Sequence, residues 1–203
     1  MSVIAISRQF GAGGKTLGEM VSEKLNYTFV DNDIIQMVAK QAKVSTNWVE
    51  SIEKEAGGKL LKFISGLVRK DFVERILSDE HGYIDEEIYV ELLHKIINQI
   101  ADEGNAVILG RGGQYILRDR ADVFHVLLIA EKPDRIRFME EHYNLNPTQA
   151  KQSVNQEDKR RINLYKKFGK EDYDSPGLYH LVLNMSRLKL EEASALICEL
   201  PVQ

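Results

Sequence analysis

The chain has 203 residues, of which 43% are hydrophobic and 29% are charged, with a formal net charge of −4. This composition is ordinary for a globular protein, and the negative charge gives no general attraction to nucleic acid or to anionic membranes. A single cysteine, Cys198, excludes an internal disulfide, and no histidine or cysteine spacing suggests a metal site. The apolar segment Met1–Ser7 is too short for a signal peptide or a membrane span, so we expect a cytoplasmic protein.

Five short apolar runs predict buried β-strands. In chain order they are Val3–Ser7, Thr28–Val30, Ala106–Leu109, Val123–Ala130 and Leu181–Leu183. The runs are continuous rather than alternating, which is typical of a parallel sheet that is covered by helices on both faces.

Helical patterns lie between the predicted strands. The first helix is predicted directly after a glycine-rich segment by apolar residues at helical spacing, which are Leu17, Met20, Val21 and Leu25. Asp85 is a predicted N-cap for a second helix with one apolar face, which should end at Gly104-Asn105.

Further helices are predicted from their starting residues. Pro133 is suited to the first turn of one helix, and Asn146-Pro147 predicts the start of the next. Asn155, with Asp158 three residues later, predicts a separate basic helix that stops at Gly169. Alternating strands and helices predict an α/β protein with a doubly wound parallel sheet.

The glycine-rich segment that follows the first strand has the composition of a phosphate-binding loop. Glycines let several backbone N–H groups point at one anion, and the helix N-terminus adds its positive end. Lys15 can reach the β- and γ-phosphates, and the Thr16 hydroxyl can hold Mg²⁺. Gln9 replaces the first glycine of the consensus GxxxxGK[ST], and a turn without a ligand is the alternative. The strand–loop–helix context favours ATP and Mg²⁺ bound at Gly11, Ala12, Gly13, Gly14, Lys15 and Thr16.

This loop resembles the phosphate loop of cytidylate kinases, which contains G-x-S-G-A-G-K-G-T. When Gly11–Gly13 and Thr16 are aligned with it, the family lysine falls at Gly14 and Lys15 lies one position later. Bacterial cytidylate kinase-like proteins share the form I-S-R-Q-[FY]-G-[SA]-G-G-[KR], which this chain shows. Neighbouring residues of a helix point about 100° apart around its axis, so Arg8 or a lid arginine is an alternative to Lys15 at the γ-phosphate.

The resemblance extends over nearly the whole chain and implies one domain, residues 1–203, with a P-loop kinase-type three-layer sandwich and a five-stranded parallel sheet. Residues 43–83 are helical in pattern and interrupted by glycines, which predicts an insertion over the acceptor side of a cleft. Residues 155–170 lie between the fourth and fifth strands, where nucleotide kinases carry a lid, and are the predicted lid.

Three residues are predicted to bind the acceptor. Asp31 and Asp33 follow the second strand, at the sheet edge where ligands bind. The resemblance implies that an aspartate here lies near the acceptor nucleotide. Asp33 is equally suited to cap a helix. Arg111 lies between glycines and suits bidentate binding of a phosphate monoester, with a surface ion pair as the alternative. Leu109 and Gly112 replace both aspartates of the family's D-G-R-D, which leaves the acceptor base open.

A basic cluster between the fourth and fifth strands contains Asp158 and Arg161, which match the family's D-x-x-R. We expect Arg161, then Arg160, to stabilise the charge of phosphoryl transfer together with Lys15, and Asp158 to orient an arginine rather than act as a base. A solvated helix face is the usual alternative for a charge run. Arg187, after the last strand, is expected either to lie against adenine or to start a helix.

These features together predict a nucleotide kinase that uses ATP and Mg²⁺ and transfers the γ-phosphate to CMP, dCMP or a similar acceptor. Small nucleotides are the expected partners, with no nucleic acid polymer and no membrane, and the chain is expected to be a monomer or a homodimer. Two alternatives stay open: a small-molecule kinase on the same fold, and a nucleotide-binding regulator with weak catalysis.

Overall fold

Parallel strands form the centre of the computed structural model, which describes residues 2–31 and 86–202. The strands are β1 (Val3–Arg8), β2 (Thr28–Val30), β3 (Ala106–Leu109), β4 (Val123–Ile129) and β5 (Leu181–Asn184). They form one five-stranded sheet in the order β2-β3-β1-β4-β5, and every pair is parallel. All five predicted strands are confirmed. Asp33, Asp85 and the predicted insertion at residues 43–83 lie outside the described residues.

Helices connect these strands. They are α1 (Gly14–Leu25), α2 (Glu86–Glu103), α3 (Gly113–Ile116), α4 (Lys132–Tyr143), α5 (Pro147–Lys167) and α6 (Leu190–Cys198), with short 3₁₀ turns at Pro176–Leu178 and Leu200–Val202. The predicted end of α2 is confirmed, because Gly104 and Asn105 both have a positive φ directly after it. No helix within residues 2–31 and 86–202 is both long enough and apolar enough to cross a membrane.

The predicted start of a separate helix at Asn155 is wrong, because α5 is one continuous helix. It begins after Asn146, whose side chain accepts a hydrogen bond from the Gln149 N–H at 2.9 Å, while Gln149 Oε1 accepts from the Asn146 N–H at 3.1 Å. Asn155 lies in the middle of α5, next to the fully buried Val154. Backbone groups there are already paired within the helix, so the cap-like spacing has no free donors to satisfy.

The sheet is covered on both faces. On one face, α1 and α6 pack on the strands through fully buried side chains, which are Leu17, Val21, Ala193 and Ile197. On the other face, Ser7 Oγ of β1 donates to Gln114 Oε1 of α3 at 3.0 Å. Ile6 and Ser7 are consecutive and therefore point to opposite faces of the sheet. This arrangement gives three layers, and the carboxyl ends of all strands lie at the same edge.

Candidate active site

The loop between β1 and α1 is shaped by two left-handed residues. Gly11 has a φ of 85° and Gly13 has a φ of 78°. A Cβ at Gly11 would lie 2.7 Å from the backbone oxygen of Arg135, so the close approach of α4 requires glycine at this position. The first hydrogen bond of α1 joins the Leu17 N–H to the Gly13 oxygen at 2.9 Å. Amides in the first turn of α1 therefore have no partner within the helix and can bind an anion.

Gln9 replaces the first consensus glycine and fastens the loop to the end of β4. Its Oε1 accepts a hydrogen bond from the Ala130 N–H at 3.0 Å, and its own N–H donates to the Leu128 oxygen at 3.0 Å. The Ala12 N–H donates to the Gln9 oxygen at 3.1 Å and closes the turn. Gln9 does not have a positive φ, so glycine is not required there. The sequence therefore departs from the consensus GxxxxGK[ST] at this position, although the backbone forms a compact turn.

A cleft of about 850 Å³ lies between this loop and α5. Its basic lining residues are Arg8, Lys15, Arg111, Arg160 and Arg161, and its acidic ones are Asp31 and Glu157. The excess of basic side chains gives the cleft a positive potential, although the chain as a whole is acidic. The fold thus brings together Gly11, Gly13 and Gly14 of the loop with the two predicted catalytic arginines and with Asp31 and Arg111.

Lys15 is the second residue of α1 and extends towards the end of β2. Its Nζ lies 3.6 Å from Asp31 Oδ2, and its side chain is 47% exposed, whereas that of Asp31 is 15% exposed. The ion pair places the lysine on the β2 side of the cleft. Gly14 is the first residue of α1 and Lys15 is the second. Consecutive residues of a helix point about 100° apart around its axis, so the Lys15 side chain leaves α1 in a different direction from a side chain at position 14.

Arg8, at the end of β1, crosses the floor of the cleft between two glycines. A Cβ at Gly14 would lie 2.8 Å from Arg8 Cγ, and a Cβ at Gly110 would lie 2.1 Å from Arg8 Nη1. Burial lowers the pKa of Arg8 to about 10; Tyr165 and Glu157 raise it, whereas the positive charges of Arg111 and Arg161 lower it further. The guanidinium is therefore charged at neutral pH. It makes no hydrogen bond or ion pair with any residue of 2–31 or 86–202.

Arg111 follows β3 within three successive left-handed residues. Its φ is 58°, and Gly110 and Gly112 both have a φ of 78°. Such a φ is unusual for arginine and typical of functional sites, where the surrounding packing holds the backbone in a strained conformation. A Cβ at Gly112 would lie 2.7 Å from the Phe168 ring, so this turn packs closely against the end of α5.

The two basic residues of α5 in the cleft have very different surroundings. Arg161 donates to both carboxylate oxygens of Asp174, at 3.0 and 2.5 Å, and its guanidinium lies over the rings of Tyr165 and Tyr173 at 5.2 and 4.8 Å. Its side chain is 13% exposed. Arg160 is 64% exposed and pairs with Glu157 one turn earlier in the helix. Arg161 is therefore fixed in place, whereas Arg160 is a surface side chain at the rim.

Asp158 does not line the cleft, but it holds α5 against α4 and the phosphate loop. Its carboxylate accepts hydrogen bonds from Arg135 Nη1 at 2.8 and 3.1 Å, and the same nitrogen donates to the Phe10 oxygen at 3.1 Å. The Arg135 side chain is 9% exposed. Sequence analysis missed Arg135 and also Asp174, the partner of Arg161. Nothing in the spacing along the chain distinguishes either residue from an ordinary surface charge.

Three other predicted residues lie beside the cleft rather than in it. Thr16 is half-buried in the first turn of α1. Ala12 lines a second, smaller cavity of about 260 Å³, located between α4 and the segment after β5. Arg187 is 75% exposed in that segment, with its Nη2 3.4 Å from Glu131 Oε1.

The sheet order, the glycine loop after β1 and the basic cleft define an α/β protein of the P-loop kinase type. More specifically, the chain belongs to the cytidylate kinase-like family, whose model matches residues 3–187. This finding confirms the resemblance.

Solved structures resemble this chain at low sequence identity. An uncharacterized protein from Eubacterium ventriosum ATCC 27560 is 15% identical with a TM-score of 0.64, and the match covers 100% of this chain and 99% of that one. Shikimate kinase from Acinetobacter baumannii is 14% identical with a TM-score of 0.49, covering 100% of this chain and 93% of that one. Shikimate kinase from Bacteroides thetaiotaomicron is 15% identical with a TM-score of 0.49, covering 100% and 99%. No curated protein matches the chain.

Proposed function

We propose that the chain is an ATP-dependent phosphotransferase whose acceptor is a nucleoside monophosphate, such as CMP or dCMP. One observation carries this proposal: a loop with free helix N-terminal amides and five basic side chains line the same cleft. Such a site suits two phosphate-bearing ligands at once, because each one brings negative charge that the basic side chains can neutralise. Membership of a kinase-like family supports the same reaction class.

The loop residues are suited to bind Mg²⁺–ATP. Gly11, Gly13 and Gly14 have no side chains that would keep phosphate oxygens away from the backbone amides. The Thr16 hydroxyl would provide the protein ligand of Mg²⁺, which otherwise takes oxygens from phosphates and water. Bound ATP supplies the γ-phosphoryl group, which bonds to an acceptor oxygen as its bond to the β-phosphate oxygen breaks and ADP leaves.

The second cavity is a suitable place for the nucleotide base. It adjoins the loop at Gly11 and Ala12 and is lined by the ring of Phe138 and by apolar side chains from the segment after β5, including Leu188. A purine ring would gain aromatic and apolar contacts there. Arg187, which neighbours Leu188, is proposed to cover the base.

The opposite part of the cleft would hold the acceptor. Arg111 would bind its phosphate, and Asp31, held by Lys15, would contact its polar groups, with Asp33 as a further candidate. Arg160 and Arg161 face the same space from α5 and would neutralise charge on the transferring group. In this proposal residues 155–170 act as the lid, which excludes water from the reaction.

A coupled assay of the purified chain against a panel of nucleoside monophosphates tests this function. We expect ADP formation from ATP to depend on one or more monophosphates. Arg111→Gln should raise the KM for the acceptor by about 10-fold or more with little change in the KM for ATP, because one charge-assisted contact to the acceptor is lost. Arg118→Gln, an exposed arginine outside the cleft lining, is the matched control.

A small-molecule kinase is the second candidate, and one observation favours it. Leu109 lines the cleft where the family pattern has an aspartate, so one polar contact to a nucleotide base is missing. The same assay with a library of sugars, hydroxy acids and aminoglycosides separates the two candidates. ATP turnover that responds only to such alcohols would replace the monophosphate proposal, and tight ATP binding with no turnover would indicate a regulator.

A further inference from the structure

The Arg8 side chain occupies the space in which a lysine at position 14 would begin. In the cytidylate kinase pattern the phosphate-binding lysine aligns with Gly14, the first residue of α1. A Cβ built at Gly14 would lie 2.8 Å from Cγ, 3.2 Å from Cβ and 3.3 Å from Cδ of Arg8. Carbon atoms do not approach to 2.8 Å without displacement, so the Arg8 stem and any side chain at position 14 exclude each other.

We propose that Arg8, from the end of β1, is the phosphate-binding cation of this protein and replaces the lysine of the usual loop. The proposal rests on the proposed function, since it assigns a residue to the triphosphate site of the phosphotransferase. Arg8 reaches the floor of the cleft between the phosphate loop and the turn after β3, because its Nη1 lies against the Cα of Gly110. A planar guanidinium at this place can donate two parallel hydrogen bonds to phosphate oxygens.

The surroundings of Arg8 lack a carboxylate within ion-pair distance among the described residues. Two other largely buried arginines of the described residues have carboxylate partners: Arg135 pairs with Asp158, and Arg161 pairs with Asp174. Arg8 has no hydrogen bond or ion pair to a carboxylate among residues 2–31 and 86–202; Glu157 attracts it from a greater distance, and the charges of Arg111 and Arg161 repel it. Arg8 is partly buried, and a largely desolvated cation without a carboxylate partner lowers the stability of a fold. A bound phosphate would provide the missing negative charge.

Lys15 forms an ion pair with Asp31, so in this proposal Arg8 and not Lys15 binds the phosphates. Its ammonium group pairs with Asp31 at 3.6 Å, at the end of β2. It is the second residue of α1, whereas the aligned position of the family lysine is the first. In this proposal Lys15 orients Asp31 on the acceptor side, and Arg8 takes the role at the β- and γ-phosphates.

Calorimetric titration with Mg²⁺–ADP, Mg²⁺–ATP and inorganic tripolyphosphate tests the assignment without requiring turnover. Arg8→Met, which keeps most of the apolar stem, should weaken binding of all three by about 10- to 100-fold, as expected when charge-assisted hydrogen bonds are removed. Lys15→Met should change the same affinities by less than about threefold, since it contacts the acceptor side. Arg118→Gln is the control for a lost surface charge.

Thermal unfolding without nucleotide gives an independent measurement. If Arg8 binds an anion, Arg8→Met should raise the Tm by about 2 to 4 °C, because a buried unpaired charge is removed. A residue with a purely structural role would lower the Tm instead. The double variant Arg8→Ala/Gly14→Lys should recover tripolyphosphate affinity to within about threefold of the original chain. Gly14→Lys alone should not, because the Arg8 stem obstructs it.

The outcomes separate this inference from the proposed function. If the unaltered chain binds none of the three phosphates, the phosphotransferase proposal fails and the assignment of Arg8 fails with it. If the unaltered chain binds them and Arg8→Met binds equally well, or Lys15→Met is the variant that loses affinity, only the assignment of Arg8 is overturned. A double variant that does not recover affinity would contradict the statement that Arg8 occupies the place of the lysine.

Discussion

The phosphate loop and helix α5 face each other across the same cleft, and they are stabilised in opposite ways. The loop is held by its own backbone and by Gln9, and the charge beside it, Arg8, has no carboxylate within hydrogen-bond or ion-pair distance among the described residues. In α5 three charged residues form ion pairs: Arg160 with Glu157, Arg161 with Asp174, and Asp158 with Arg135. The described ion pairs of α5 therefore fix the position of the helix, whereas no described carboxylate fixes the guanidinium of Arg8.

The difference also affects how each region tolerates substitution. The loop depends on the absence of side chains, because α4 packs directly on it. Helix α5 depends on the presence of particular side chains, because its contacts to α4 and to the segment around Asp174 are ion pairs. Substitutions in the loop should therefore act through steric overlap, and those in α5 through lost electrostatic partners.

The largest effect is expected for Gly11→Ala, compared with Gly169→Ala after the end of α5. Both glycines have a positive φ, 85° and 64°, but only Gly11 is backed by another chain segment, at 2.7 Å from the Arg135 oxygen. Gly11→Ala should lower the free energy of unfolding by about 4 kcal/mol, since backbone strain and overpacking add. Gly169→Ala should lower it by about 1 kcal/mol, from strain alone. Urea unfolding measures both, and equal losses would contradict the packing explanation.

Asp158→Ala should have the next largest effect, compared with its neighbour Glu157→Ala. Removing Asp158 leaves the guanidinium of Arg135 buried without its carboxylate, which should cost about 3 kcal/mol of stability. Removing Glu157 frees the exposed Arg160 and should cost no more than about 0.5 kcal/mol. The double variant Asp158→Ala/Arg135→Met should recover part of the loss in urea unfolding. Without that recovery, the ion pair would not be the cause.

His125 is a buried basic residue that is neutral at pH 7, whereas Arg8 is charged at that pH. Burial lowers its pKa to about 4, and the stacked ring of His180 lowers it too, although the Leu117 oxygen favours the charged form. In the unfolded chain this histidine takes up a proton near pH 6.5, but in the folded chain only near pH 4. Stability should therefore fall by about 2 to 3 kcal/mol as the pH drops from 7 towards 4.

The control for this pH effect is His125→Phe, measured by urea unfolding at the same pH values. Other groups, including the paired carboxylates, also titrate in this range, so the difference between the two proteins isolates the histidine. The variant should lose about 2 kcal/mol less than the original chain over the same interval. Parallel curves would show that His125 is not kept neutral by burial.

The smallest effects are expected within α5 itself, at two adjacent arginines. Arg161→Gln removes a largely buried ion pair and the contacts with two tyrosine rings, and should lower stability by about 1 to 2 kcal/mol. Arg160→Gln removes an exposed pair and should change stability by no more than about 0.5 kcal/mol. Thermal unfolding at low and at 0.5 M salt distinguishes them, because screening should weaken only the exposed pair. Equal losses would mean that Arg161 is not held by Asp174.

The sequence determined the five strands and the phosphate loop, because both are encoded by neighbouring residues. Continuous apolar runs predict buried parallel strands, and the glycines between the first strand and the first helical pattern predict a turn. The cap-like spacing at Asn155 predicted a helix start that is wrong, since a local pattern does not show whether the chain is already helical.

The partners of the charged residues were decided only by the tertiary structure. Arg135 and Asp158, or Arg161 and Asp174, meet because α4, α5 and the segment before β5 pack together, and no spacing along the chain encodes that contact. The same packing turns Lys15 towards Asp31 and leaves Arg8 on the floor of the cleft. Electrostatic energy depends on distance in space and on burial, so the sequence could name the charged residues of this cleft, but only the fold shows which of them lie close enough to interact.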